Sequence, residues 1–251
     1  MDLQDKTICI IGATGGIGRE ITLAFAKERV NLILVARKID SLDVLEKEIL
    51  SEGVEGVKVG KFLCDLTDPK SIESLAKNIS AKYKAIDVVV HLAGIGVYKK
   101  FPDISYEEWK SSMDINVTSA FYVFQKLLPL LEKSAKAYVI ASGSGMGKVA
   151  LSGRSPYCAS KFALRGLMQA LSKEYKGTKI KFVHLTLGSV LTSFGPLSLK
   201  DKQRKFRQGK GYLEPTWLAN NVVARLKNDT LEDETPIYPR HYFLESRKDI
   251  R

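Results

Sequence analysis

Short apolar runs recur along the chain, and between them apolar residues return every three or four positions. The runs are KTICII, NLILVA, VKVGKFL, AIDVVVHL, KAYVIAS and IKFVHLTL. Helical spacing occupies about 16–28, 40–51, 69–83, 105–132 and 156–175, then about 215–228, before a short last strand, TPIYP. Unbroken runs rich in β-branched residues mark strands buried on both faces, as in a parallel sheet. Their alternation with helices predicts an α/β fold, a parallel sheet covered on both sides and wound with right-handed crossovers. No repeat, low-complexity linker or boundary interrupts the rhythm, so residues 1–251 read as a single domain. Only 193–213, SFGPLSLKDKQRKFRQGKGYL, departs from it.

In open parallel sheets ligands bind beyond the carboxyl ends of the strands, so the residues that follow each run matter most. After the first come glycines, GATGGIG, on a strand-to-helix turn. The turn reads as G-x-x-x-G-x-G through Gly12, Gly16 and Gly18, and as G-x-x-G-x-x-G through Gly12, Gly15 and Gly18. Lacking Cβ, such residues let the chain turn sharply and let a pyrophosphate approach helix N–H groups. A tight turn without a ligand would also use glycine. Arg37 follows the second run, Asp65 the third, Ala93 and Gly94 the fourth, SGSGMG the fifth and LGSVLT the sixth. One ligand could touch all of them.

Charge and cysteine usage narrow the classes. The chain has 251 residues, 45% hydrophobic, with 39 Lys and Arg against 28 Asp and Glu, a net charge of +11. That balance permits anionic ligands, nucleic acid or membrane surfaces without naming one. The N-terminal MDLQDK shows no apolar signal region, and no apolar run reaches membrane-spanning length. Cys9, Cys64 and Cys158 are scattered and form no C-x-x-C, which predicts reduced thiols in a cytoplasmic protein and no zinc site. His91, His184 and His241 are too isolated to predict a metal cluster.

The stretch SPYCASK carries the clearest chemistry. Ser155 is placed to cap a helix, with Pro156 at its first position and Tyr157 in its first turn. Lys161 lies at i+4 on the same face. A free tyrosine has a pKa of about 10. A nearby ammonium and a helix N-terminus both favour the phenolate, which would bring the group toward a working acid/base pKa. Alone, a Tyr and a Lys four apart also arise by chance.

GATGGIG, CDLTD, HLAG, DINVTSAF around Asn116, SGSGMG, YCASK and LGSVLT occur in this order over nearly the whole chain. In this the sequence resembles the short-chain dehydrogenase/reductase family, in its single-domain branch of about 250 residues with G-x-x-x-G-x-G spacing. The resemblance implies a Rossmann-type doubly wound sheet and a nicotinamide dinucleotide. It implies Tyr157 as general acid in reduction and base in oxidation. Lys161 would lower the tyrosine's pKa and bind the nicotinamide ribose. Ser144, 13 residues before Tyr157, would hydrogen-bond the substrate carbonyl in preference to Ser142. Asn116 would hold a water linking Lys161 to solvent. Gly12, Thr14, Gly15, Gly16, Ile17 and Gly18 would form the cofactor turn, and Asp65 and Leu66 would meet the adenine. Ala93 and Gly94 would line the cofactor, and Gly188, Val190 and Thr192 would frame the nicotinamide.

Three positions depart from the family pattern: Ile11 before the first glycine, His91-Leu92 ahead of Ala93-Gly94, and Leu187 before Gly188. The first two are expected to remove side chains that brace the cofactor site, leaving the chemical residues intact. At the end of the second strand stand Arg37 and Lys38, with no carboxylate until Asp40, which is placed to cap the next helix. A guanidinium there suits the 2′-phosphate of NADP, with NAD the poorer coenzyme. The expected activity is an NADP-dependent carbonyl reductase or alcohol dehydrogenase acting on a small molecule, with a catalytically silent NADP(H)-binding regulator as the alternative. Specific nucleic-acid binding is not expected, because the basic residues are spread over many helices. Segment 193–213 falls where the family carries a substrate lid, and its mixture of aromatic and basic residues leaves the substrate open. Helices 105–132 and 156–175 are apolar on more than one face, which predicts a homodimer or homotetramer.

Overall fold

The computed structural model describes residues 1–54 and 56–240. Strands β1 (Thr7–Ile11), β2 (Asn31–Ala36), β3 (Lys58–Leu63), β4 (Val88–His91), β5 (Ala137–Ser142), β6 (Ile180–Leu187) and β7 (Glu234–Ile237) form one sheet. Their order is β3-β2-β1-β4-β5-β6-β7, and every pairing is parallel. The chain winds outward from β1 in one direction and then from β4 in the other, leaving a crevice where the direction reverses.

Alternation along each strand divides the core. Ile8 and Ile10 of β1, with Leu32, Leu34, Val88 and Val90, face one side. There they meet Ile21 and Phe25 of α1 (Gly16–Ala26), Leu42 and Ile49 of α2 (Ile39–Ser51), and residues of the helix Pro215–Lys227. Cys9, Ile33, Val89 and Val139 face the other. They pack on α3 (Pro69–Lys82) and on a long helical stretch from 106 to 131, through Ile79, Val123 and Leu127. Truncating such a buried Leu or Ile to Ala costs about 2–5 kcal/mol, so the site rests on a stiff platform.

The single helix expected over 105–132 is modified. A capping box between Ser105 and Glu108 starts α4 (Tyr106–Met113), a π-helical turn spans Asp114–Thr118, and α5 (Ser119–Leu131) continues beyond it. Such wide turns are frequent at functional sites. Next come α6 (Ser155–Glu174), α7 (Leu199–Arg207) and α8 (Pro215–Lys227). Helix α7 lies in the segment that the apolar pattern left without an element. Its only buried residue is Lys202, so no hydrophobic stripe marks it. Two expected caps are corrected. Asp40 sits in the first turn of α2, which Lys38 precedes. Ser155 and Pro156 open α6 behind Arg154, whose side chain caps nothing.

Candidate active site

Gly12 follows β1 at the point where the sheet order reverses. Its φ is +83°, and a Cβ there would lie 2.8 Å from the backbone nitrogen of Ala93, just past β4. At Gly18 a Cβ would lie 2.1 Å from the Gly12 carbonyl oxygen. Only glycine fits either position. Gly15 precedes α1 with no side-chain cap, and no acidic residue occupies the first turn. Neither the cap nor the first turn therefore offers these N–H groups an anion. This cradle fits a dinucleotide pyrophosphate. Thr14, Gly15 and Gly16 are exposed, while Ile17 lines the neighbouring cavity. Thr192 arrives from beyond β6 and packs over Gly16, where a Cβ would meet its side chain at 2.8 Å.

The cavity, about 560 Å³, opens beyond the carboxyl ends of β4, β5 and β6. Ile17, Gly94, Ser144, Tyr157, Lys161, Gly188, Val190 and Thr192 all reach its wall. Helix α6 carries Tyr157 and Lys161, both buried, and is fixed to the sheet by Leu164 and Met168. The Lys161 ammonium donates to the Ser142 carbonyl at 2.9 Å and lies 5.8 Å from the centre of the Tyr157 ring. Burial pushes its pKa down to about 8. Ser144 follows β5, and its hydroxyl accepts from Met146 N at 3.1 Å.

Tyr157 behaves differently from the expectation. Burial and then neighbouring Tyr98 raise its pKa, while the Ser144 side chain and Arg154 oppose them. The phenol keeps its proton at neutral pH. A buried phenol beside a hydroxyl and an ammonium can donate to a carbonyl oxygen and hold it in place.

Asn116 lies in the π-helical turn and is fully buried. Its Oδ1 accepts from Ile95 N at 2.8 Å, and its Nδ2 donates to Ile95 O and Ser160 Oγ, each at 2.9 Å. The side chain thereby clamps the backbone after Gly94 to α6 beside Lys161.

The His91 departure ties β4 to the start of α5. His91 is buried at the end of β4, with Nε2 3.1 Å from Ser119 Oγ. That hydroxyl gives its proton to Ile115 O at 2.7 Å, so Nε2–H is the donor. Burial, helped by Lys161, pushes the imidazole down to about 3, and it remains neutral. His184 is buried too, with Nδ1 3.1 Å from Thr186 Oγ1. His241 lies outside the described residues. Ile11 is core.

Arg37, exposed at the end of β2, lies near enough to Asp65 to lower its carboxyl, after the stronger effect of Thr67. Asp65 Oδ1 accepts from Thr67 N and Oγ1, at 2.9 and 2.7 Å. Leu66 packs against the core. Tyr98 and Arg154, which no sequence motif singles out, also stand on the cavity wall, with Met146 of SGSGMG and Lys202 of the lid segment. Arg154, three residues before Tyr157, was within reach of spacing arguments; Tyr98 had no such signal.

Residues 6–203 match the family described as short chain dehydrogenase, and the chain belongs to it and is an oxidoreductase. The chain is 29% identical over 246 residues to the NADP-dependent 3-hydroxy acid dehydrogenase of Schizosaccharomyces pombe, covering 95% of this chain and 94% of that one. It is 27% identical over 228 residues to glycine betaine reductase ATRR of Emericella nidulans, and this match covers 90% of the chain but only 18% of that longer protein. The alcohol dehydrogenase of the archaeon Thermococcus sibiricus, solved with 5-hydroxy-NADP, superposes with a TM-score of 0.83 at 26% identity, over 96% of this chain and 99% of that one.

Proposed function

We propose that this chain is an NADP-dependent oxidoreductase interconverting a small carbonyl compound and its alcohol, with Tyr157 as the acid/base. The convergence of Tyr157, Ser144 and Lys161 on one cavity beside the glycine cradle carries this reading. The turn from Gly12 to Gly18 would hold the pyrophosphate, Asp65 and Leu66 the adenine, and Arg37 the 2′-phosphate. Ala93 and Gly94 would line the dinucleotide, Lys161 would bind its ribose, and Gly188, Val190 and Thr192 would frame the nicotinamide. The coenzyme supplies the hydride. Ser144 orients the carbonyl oxygen, and Tyr157, kept protonated by burial, gives that oxygen its proton as the alcohol forms. Asn116 holds the floor of the site. Segment 193–213 serves as the substrate lid; its Phe194 ring stands 5.8 Å from that of Tyr157. Support for NADP comes from Arg37, from the NADP-dependent dehydrogenase of Schizosaccharomyces pombe and from the Thermococcus sibiricus enzyme solved with 5-hydroxy-NADP.

Replacing Tyr157 by Phe keeps the ring and removes the acid. Turnover of ketones with NADPH should fall at least about 10²-fold, while NADPH still binds. Near-normal turnover would end this mechanism.

The same reading takes the enzyme to be cytoplasmic, where its three free, buried cysteines would stay reduced. No helix among the described residues is long and apolar enough to cross a membrane. Exposed Phe121 on α5 and Phe162 on α6 support a homodimer or homotetramer through these helices. Light scattering should give at least twice the chain mass at micromolar concentration; a stable monomer would refute the assembly.

A further inference from the structure

The proposed chemistry uses one cation of the cavity, yet the wall carries four. Arg154, Lys161, Lys202 and Lys210 line it and, among the described residues, no Asp or Glu does. Backbone carbonyls engage two of these cations, Ser142 O for Lys161, and Thr192 O and Phe194 O for Lys202. Arg154 is held in another way. Its guanidinium carbon lies 5.4 Å from the centre of the Tyr98 ring, and Nη1 reaches Met146 Sδ at 3.5 Å. A ring face and a weak sulfur acceptor fix the plane of the group while leaving strong N–H donors for a ligand. Tyr98 in turn packs against Tyr157, with centroids 6.0 Å apart. One aromatic ring therefore touches both the guanidinium and the phenol. The charge of Arg154 is felt at both tyrosines, where it opposes burial.

A half-buried guanidinium whose neighbours are a ring and a thioether, with no acidic partner among the described residues, is placed to receive an anion. We propose that Arg154 is a specificity-determining residue that selects carbonyl substrates bearing a carboxylate on the same short skeleton. This rests on the oxidoreductase reading above. The planar fork takes both carboxylate oxygens, and Ser144 and Tyr157 take the carbonyl oxygen. The carboxylate undergoes no chemistry; only the carbonyl carbon gains hydride and its oxygen a proton.

Steady-state kinetics with NADPH on 2-, 3- and 4-oxopentanoate, each beside its methyl ester, test this while scanning the spacing between the two groups. At least one acid should exceed its ester in kcat/KM by about tenfold or more. Arg154→Gln should bring that ratio close to one through the KM of the acid, and Arg154→Lys should keep part of it. Acids and esters turned over equally by the unmodified enzyme, with Tyr157→Phe inactive on both, would overturn the anion reading and leave the oxidoreductase reading standing. An acid preference that persists in Arg154→Gln overturns it as well, as does a variant that loses NADPH affinity with the ratio intact. Should none of the six compounds react, calorimetry of the three acids against the NADP-loaded protein decides. Binding of an acid that Arg154→Gln abolishes upholds the proposal, and no binding ends it.

Discussion

Lys161 and Lys202 stand on two walls of one cavity, and each gives its ammonium to main-chain carbonyls. Lys161 donates to Ser142 O from α6, a helix of 20 residues already seated on the sheet through Leu164 and Met168. Lys202 donates to Thr192 O, at 2.8 Å, and to Phe194 O from α7, a helix of nine residues in which nothing else is buried. Burial lowers the pKa of both. The same bond has opposite roles. The core fixes α6 whether or not Lys161 carries a charge, so the ammonium occupies a place that packing has already built. Helix α7 has no apolar face to dock with, so its ammonium is the anchor. A buried charge on an apolar element is available for chemistry; on a polar element it holds position.

Lys161→Met should break the comparison most sharply. Turnover should fall by about 10²–10⁴, yet the fold should gain stability. Burial brings this group from 10.5 to about 8. Below pH 8 folded and unfolded chains both carry the proton, and the full cost of burying the charge is present. Between about 8 and 10.5 the unfolded chain binds more protons, so stability of the unmodified enzyme rises with pH across that window. The Met variant should lack this rise and should melt higher at pH 7. Each kcal/mol gained shifts Tm by about 2–4 °C. Melting both proteins from pH 7 to 10 checks the sign. A lower Tm for the variant would mean that the Lys161 ammonium stabilises the fold and is more than a charge that packing tolerates.

A third cation, Arg37, sharpens the comparison because it is exposed and on neither wall. If it reads the 2′-phosphate, it does so by a charge-assisted fork worth about 1.5–3 kcal/mol. NADPH should bind more tightly than NADH, and Arg37→Ala should remove about tenfold or more of that preference. Being exposed, the preference should also shrink with salt, unlike any effect at Lys161. Titration by nicotinamide fluorescence measures it, and equal affinities in the unmodified protein would exclude the reading.

These cations also show what the sequence could tell. The sheet was legible because each strand is an unbroken apolar run, and Tyr157, Lys161 and Ser144 were legible because their intervals along the chain set their positions. Helix α7 was not, since its one buried residue is a lysine and hydrophobic periodicity has nothing to register. The π-helical turn at Asp114–Thr118 was hidden by a helical pattern that continues through it. Strand order lies in pairings between distant segments. Arg154 and Tyr98 meet across loops that follow different strands, a tertiary contact no local spacing encodes. The Tyr157 shift escaped for a related reason. An i+4 spacing names Lys161 as a neighbour, but burial, the first cause of the Tyr157 shift, and the contact with Tyr98 arise only from the fold.

The smallest effect concerns the anchor itself. Lys202→Met keeps an unbranched, apolar stem one atom shorter but removes both bonds to Thr192 and Phe194, which together hold α7 over the cavity. Hydrogen bonds from a charged group contribute about 1.5–3 kcal/mol, and here that free energy opposes local opening, not global unfolding. Global Tm should therefore move by only a degree or two. Trypsin should report the change directly, because Arg204, Lys205 and Arg207 lie on α7, and early cleavage there should speed up several-fold. KM should rise by about three- to tenfold, since a smaller fraction of the enzyme is closed and competent. Cleavage and KM both unchanged would mean that the flanking chain holds α7, and the contrast with Lys161 would then rest on burial alone.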